Sequence, residues 1–304
     1  MKAFLLRICF LSGISMVSLA KAAQQINWYS PTLQTNLTGA GAVMDGTFQF
    51  QLGAFASGFV PTASNASDWA ANWSPAATTS YVPASNVRAF EAIFSLTSNG
   101  APFSVGAKAY VWGRSSGSAS DEWILFRASS WTWPSANPSG APPNPLDWSA
   151  DLASEVILGT VHGSGSPFLM KSETVRSYQQ WKSVALSGQV LDAPLDDPDH
   201  DGVPNLLEFL FGTSPVLPNS PTSTPTTIID ISGQKYLQIS IPRLRDRLVS
   251  VTVQVSSDLV TWQSGSSATV EVSDTPELLV VRDLTPVVPG LSKRFMRVKA
   301  VSAP

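Results

Sequence analysis

The chain has 304 residues, 43% of them hydrophobic and only 13% charged, with 19 basic side chains against 22 acidic ones. A formal charge of −3 with sparse Lys and Arg argues against nucleic acid and anionic lipid as partners. The length fits two domains or one large β-sandwich, and a single cysteine excludes a disulfide framework.

Residues 1–22 have the layout of a secretory signal peptide. Lys2 and Arg7 precede an apolar run over 8–19, and Ala20-Lys21-Ala22 has the small-x-small form of a cleavage site. The run is too short to span a bilayer comfortably. Cys9 lies inside it, so the expected mature chain has no cysteine, which is ordinary for an exported bacterial protein and unusual for a eukaryotic one. Loss of Lys2, Arg7 and Lys21 takes the charge from −3 to −6. No second apolar segment has the length of a membrane helix, so the expected protein is secreted, extracellular or at the cell surface, with no transmembrane segment after cleavage.

Residues 23–190 are rich in Trp, Ser, Ala and Gly, and eight of the ten tryptophans fall between Trp28 and Trp148. Phe48, Phe50 and Leu52 alternate with other residues, as do Val105, Ala107, Ala109 and Val111, and residues 122–126 form a compact apolar run. Period two marks half-buried strands, and the Pro-rich stretch 134–145 marks a loop. The expectation is an all-β domain, a Trp-rich sandwich, with a short helix over 149–155 or near 173–181. Residues 191–212 read as an acidic loop plus a helix. Residues 213–227 read as a Pro/Ser/Thr linker. In 228–304, alternation at Leu237, Ile239 and Ile241, then Val249 to Val255, then 269–272, 277–281 and 294–301, predicts a second β domain, immunoglobulin-like or fibronectin-like. The fold class is therefore all-β: two β-sandwich-like domains joined by a loop, a short helix and a linker.

The loop reads Asp197-Pro198-Asp199-His200-Asp201-Gly202-Val203-Pro204-Asn205-Leu206-Leu207-Glu208. Counting from Asp197, carboxylates stand at positions 1, 3, 5 and 12, Gly at 6 and Asn at 9, the spacing of a calcium loop. Ca2+ takes six to eight hard oxygens. Asp197, Asp199 and Asp201 would converge on one ion, the Val203 carbonyl would face it, Asn205 would act directly or through water, and Glu208 would reach back from a helix. Without a cation the carboxylates would repel. Pro194 forbids an entering helix, and Pro204 removes a donor that paired loops use. A lone loop followed by a helix over Asn205–Phe211, ending at Gly212, is the prediction.

With these residues in view, residues 197–215 resemble the calcium loops of thrombospondin type 3-like repeats and the dockerin-like half-motifs of secreted bacterial proteins. The segment Ser256-Ser257-Asp258-Leu259-Val260-Thr261-Trp262 and the closing Arg294-Phe295-Met296-Arg297-Val298 are similar to C-terminal β modules in large exported proteins of Verrucomicrobia-like bacteria. The N-terminal part, with residues 48–53, 69–73 and 123–134, looks like uncharacterised exported domains. The resemblance implies a calcium site and an exported architecture and no particular activity. A dockerin carries two such loops; this chain has one.

No catalytic set stands out. His162 lies near Ser164 and Ser166 without a nucleophile elbow, and Ser232-Gly233-Gln234-Lys235 has S-x-x-K spacing without its companions. Glu91, Asp121, Glu122, Asp147 and Asp151 are the carboxylates from which a polysaccharide hydrolase would draw its pair. Trp131 and Trp133 alternate beside the Pro-rich loop and are the candidate sugar-stacking platform; Trp69 and Trp73 have helical or turn spacing. Arg243, Arg245 and Arg247 form the one basic cluster. The expected function is a secreted, non-enzymatic calcium-binding protein, a surface, glycan-binding or adhesion module whose partners are extracellular polysaccharide or cell-envelope components. The alternatives are a polysaccharide-active hydrolase and a structural envelope component.

Overall fold

The computed structural model describes residues 23–117, 119–136, 144–163, 165, 167–218, 224–288 and 293–303. The expected signal peptide, Ser164, Ser166, most of the Pro-rich loop, linker residues 219–223 and the Pro289-Gly290 turn lie outside them. The fold is all-β, with five sheets and only short helices among the described residues. No described helix is long and apolar enough to cross a membrane.

The N-terminal unit stacks a small sheet on a large one. In the small sheet Gln24–Tyr29 lies between Glu91–Leu96, antiparallel, and Leu146–Ser149, parallel. The large antiparallel sheet runs in the order Glu173–Val175, Asp121–Arg127, Tyr110–Ser115, Gln49–Phe55, Trp73–Ser80, and Glu155–Leu158 extends it beside Asp121–Arg127. Successive residues of a strand face opposite sides. Ile124 and Phe126 therefore enter the core between the two sheets, and Trp123 and Leu125 enter a second core on the far face. Val111 and Trp112 divide in the same way. Both faces are covered, which explains the unbroken apolar run. In the inner core Phe50 stacks on Phe90 with centroids 4.0 Å apart. Gly113 makes the close approach possible, since a Cβ there would stand 2.4 Å from Phe50.

Two expectations are corrected here. The alternation over 105–111 is not one strand: Val105 is exposed and the strand begins at Tyr110. The only helical element in the region 149–155 is a 3-10 turn, Ala150–Leu152, between two strands. The helix near 173–181 starts later, at Tyr178–Ala185, behind the strand Glu173–Val175.

The C-terminal unit pairs a four-stranded sheet with a two-stranded ribbon. The sheet runs in the order Thr226–Ile231, Gln234–Pro242, Leu278–Asp283, Thr269–Asp274, and the ribbon joins Val249–Ser256 to Phe295–Ser302. Ser232 and Gly233 both take positive φ (53° and 83°), the two-residue turn that this hairpin requires. Ile239, Ile241, Val249, Val253, Leu279 and Val281 share one core with Tyr178, Trp181, Leu206, Phe209 and Leu210. Both helices thus belong to the core of the C-terminal strands. Because the strand begins at Thr226, the extended linker is shorter than the sequence predicts.

The two units touch directly. Leu248 packs into the far-face core with Trp112, Trp123 and Leu125. The Arg176 amide donates to the Asp246 carbonyl (2.6 Å), and the Leu248 amide donates to the Arg176 carbonyl (3.0 Å). Ser64 donates to Asp274 (2.8 Å), and Arg245 pairs with Glu173 (2.9 Å).

Candidate metal centre

The loop is held by its own carboxylates. Asp197 Oδ2 accepts from the Gly202 amide (2.9 Å), Asp199 Oδ1 from the Asp201 amide (3.3 Å), and Asp201 Oδ1 from the Val203 amide (2.9 Å). Gly202 bends the chain at φ +88°, a value that L side chains rarely adopt. His200 takes φ +60° and is exposed.

The exit helix Asn205–Phe211 is tied to this loop at its start. Pro204 precedes it without a capping side chain, so the first helical donors need other acceptors. The Asn205 amide donates to the Asp196 carbonyl (2.9 Å), and the Leu206 amide to the Pro194 carbonyl (3.0 Å). At the far end Gly212 adopts φ +79° and its amide donates to the Glu208 carbonyl (2.7 Å). No helix leads directly into the loop; Tyr178–Ala185 ends well before it, and the Tyr178 hydroxyl donates to the Asp192 carbonyl (3.0 Å).

Carboxylate oxygens of Asp197, Asp199 and Asp201 lie within 4.8 Å of one another. Among the described residues this is the one group of three or more His, Cys, Asp or Glu close enough to share an ion. Four buried side-chain oxygens around it have no hydrogen-bond partner among the described residues: Asp197 Oδ1, Asp199 Oδ2, Asn205 Oδ1 and Glu208 Oε2. All four are acceptors. Leaving one such atom dry and unpaired costs about 1–3 kcal/mol, and four acceptors in one place suit a shared positive partner. Asn205 and Glu208 are wholly buried. Asn205 spends its Nδ2 on the carbonyls of Leu191 (3.2 Å) and Ala193 (3.0 Å), a structural role the sequence did not show. Thr213 donates to Glu208 Oε1 (3.4 Å). Burial first, then the charges of Asp199 and Asp201, push the Glu208 carboxyl up to about 8. Burial also raises Asp199. The cluster can therefore hold a metal ion, and its all-oxygen donor set suits a hard cation. Val203 sits half-buried at the end of the loop.

The other candidates fare differently. Trp131 and Trp133 are corrected: they are 2% and 0% exposed and form no surface platform. Their strand-like segment is held against residues 107–109, with the Ala109 amide donating to Trp131 (3.1 Å) and the Trp133 amide to Ala107 (2.9 Å). Trp131 stacks on Trp148 at 5.8 Å, and Trp133 meets Phe103 edge-on at 4.7 Å. Alternation put both on one face correctly, but that face is the core. Trp69 is also buried, with its indole donating to Asn65 (2.9 Å). Trp73 is half-buried, with its indole on Gln51 (2.9 Å). Of the five hydrolase carboxylates, Glu91 and Asp151 are exposed and the other three are held by nearby donors. Glu122 accepts from the Gly39 amide, Ser172 and Thr174. Asp121 accepts from Gln180 (2.7 Å) and Asp147 from Asn27 (2.9 Å). His162 takes φ +48° at a strand end, and Ser232 lies in the hairpin turn.

Comparison with family models, with curated proteins and with solved structures finds no match to this chain.

Proposed function

We propose that residues 197–208 bind one Ca2+ and that the chain is an exported, non-enzymatic binding or surface protein whose C-terminal β unit the ion stabilises. The observation that carries this reading is the set of four buried, unpartnered oxygens on Asp197, Asp199, Asn205 and Glu208. With an Asp201 oxygen and the Val203 carbonyl they make six hard oxygens on one short loop, the number that Ca2+ accepts and that Mg2+ seldom takes from protein alone. Bound there, the ion would supply positive charge to these buried oxygens. Glu208 and Asn205 belong to the helix that packs Leu206, Phe209 and Leu210 into the C-terminal core. Neutralising Glu208 therefore stabilises the helix and the sheet it plugs. Residues 1–22 supply the argument for export, and the local engagement of Glu122, Asp121 and Asp147 supports binding over hydrolysis.

Calorimetry on chelator-stripped protein tests the site. One Ca2+ should bind at about 0.1–1 mM, the range of extracellular loops of this type. Asp199→Ala and Glu208→Ala should each abolish the heat. Unchanged calcium heat in both variants would overturn the assignment, and equal or tighter Mg2+ binding would overturn the choice of ion.

A further inference from the structure

The strand Gln49–Phe55 ends, and Tyr110–Ser115 begins, at the same end of the large sheet. That end opens into a cleft of about 270 Å³, walled by residues from 55–59 and from 101–110. Hydrogen bonds fix both walls. The Ala56 amide donates to the Asn72 carbonyl (2.8 Å) and the Phe59 amide to the Ala56 carbonyl (3.0 Å), a turn that brings Phe59 back onto Phe55 with centroids 5.2 Å apart. Opposite, the Phe103 amide donates to the Gly100 carbonyl and the Ala107 amide to the Ser104 carbonyl (both 2.9 Å), and Asn99 Nδ2 donates to the Phe103 carbonyl (3.0 Å). The cleft is therefore preformed, as small-ligand sites usually are. Its polar groups are few and unengaged. Tyr110 borders it, is 5% exposed, and meets Phe55 edge-on at 5.4 Å. The Tyr110 hydroxyl makes no hydrogen bond among the described residues, yet it is not one of the unpaired atoms closed to solvent. Burial raises this phenol above its ordinary value, which keeps it protonated and a donor at neutral pH. Lys108, two residues earlier, lines the same cleft, is exposed and forms no ion pair among the described residues.

We propose that this cleft binds a small aromatic carboxylate, with its ring against Phe59, its acid group on Lys108 and a polar ring substituent at the Tyr110 hydroxyl. Phe59 is half-buried, so part of its ring is open to a ligand. Three neighbouring rings, met stacked and edge-on, offer an aromatic ligand the packing that rings prefer. Pro102 and Ala107 extend the apolar lining. Among the described residues no Asp, Glu, Asn or Gln lines the cleft, so it lacks the acceptors that would take up the many hydroxyls of a sugar. An ammonium with no carboxylate beside it selects an acid over a neutral or basic ring. The proposal goes beyond the calcium reading: the cleft shares no residue with the metal loop, and the two can fail separately.

The test uses the full chain saturated with CaCl2 and sodium 4-hydroxybenzoate as probe. The controls are 4-hydroxybenzyl alcohol, which keeps the ring without the charge, and sodium glucuronate, which keeps the charge on a hydroxylated, non-aromatic ring. Calorimetry should show saturable binding of 4-hydroxybenzoate, on the order of 1 mM for so small a ligand. Both controls should bind about tenfold more weakly or not at all. Lys108→Gln, at an exposed position, should keep the fold and weaken binding about tenfold. Tyr110→Phe, which removes only the hydroxyl, should weaken it about fivefold. In the unmodified protein the probe should move the amide signals of Ser57, Phe59 and Ser104, and these shifts decide together with Lys108→Gln should Tyr110→Phe not fold. No saturable heat, equal affinity for either control, shifts located elsewhere, or a folded variant that binds like the parent would each overturn the proposal. Calcium heat is measured without the probe.

Discussion

Glu208 concentrates the energetics of the metal loop in one side chain. It is wholly buried, and without a cation its carboxyl is pushed from an ordinary value of 4.5 up to about 8 by burial and by the neighbouring aspartates. In that state the folded protein keeps a proton that the unfolded chain has already released. Stability of the calcium-free protein should therefore fall as pH rises between about 4.5 and about 8. The raised Asp199 acts in the same direction. Bound Ca2+ would keep Glu208 ionised in the folded state and remove its share of that slope, so calcium should raise the melting temperature more at pH 8 than at pH 5. Glu208→Gln should flatten the slope in chelator, melt higher than the parent at pH 8 and no longer respond to calcium. Melting curves in chelator at several pH values check this; a parent protein whose stability does not fall across the interval, or a variant that falls as steeply, contradicts it.

Among the elements, the helix Tyr178–Ala185 depends on a small polar device. Ser177 Oγ accepts from the Gln180 amide (3.2 Å), and Gln180 Oε1 accepts from the Ser177 amide (2.9 Å). Gln180 also donates to Asp121, tying the helix to the large sheet. Ser177→Ala should cost about 1 kcal/mol in denaturant unfolding; a change near zero would show that Tyr178 and Trp181, packed on Phe209, hold the helix without its cap. This Ser-x-x-Gln pattern is a local signal in the sequence that marks the helix start at Tyr178. The loop and exit helix were legible because calcium spacing, glycine bend and helix stop are all local, lying between Asp197 and Gly212. Strand periodicity was legible too, but period two sorts residues into two faces without saying what covers each. Hence Trp131 and Trp133 were placed on one face and assigned the wrong surroundings. The contact of Ser64 with Asp274 has no sequence signal for the same reason, since the two meet only through the packing of two units.

At the scale of the whole molecule, the question is whether the two units unfold together. Leu248 leaves the C-terminal ribbon to lie among Trp112, Trp123 and Leu125, and Ser250 donates to Asp68 (3.4 Å) beside it. The helix Tyr178–Ala185 follows directly from a strand of the N-terminal sheet and ends in the C-terminal core. These ties couple the metal loop to a set of tryptophans that it does not touch. Eight of the ten tryptophans lie at or before residue 148, so indole fluorescence reports mainly on the N-terminal unit. The intact protein should melt in one transition by fluorescence and by circular dichroism, and Ca2+ at about 100 times its dissociation constant should stabilise that transition by about 2.7 kcal/mol. Leu248→Ala should cost about 2–5 kcal/mol, as for other buried leucines. Leu248→Asp, which puts a charge into the aromatic cluster, should separate the units. In that variant calcium should shift only the dichroism of the C-terminal transition and leave the fluorescence transition where it is. A wild-type protein whose fluorescence transition already ignores calcium would mean that the Leu248 contact is too weak to transmit the stabilisation across the junction.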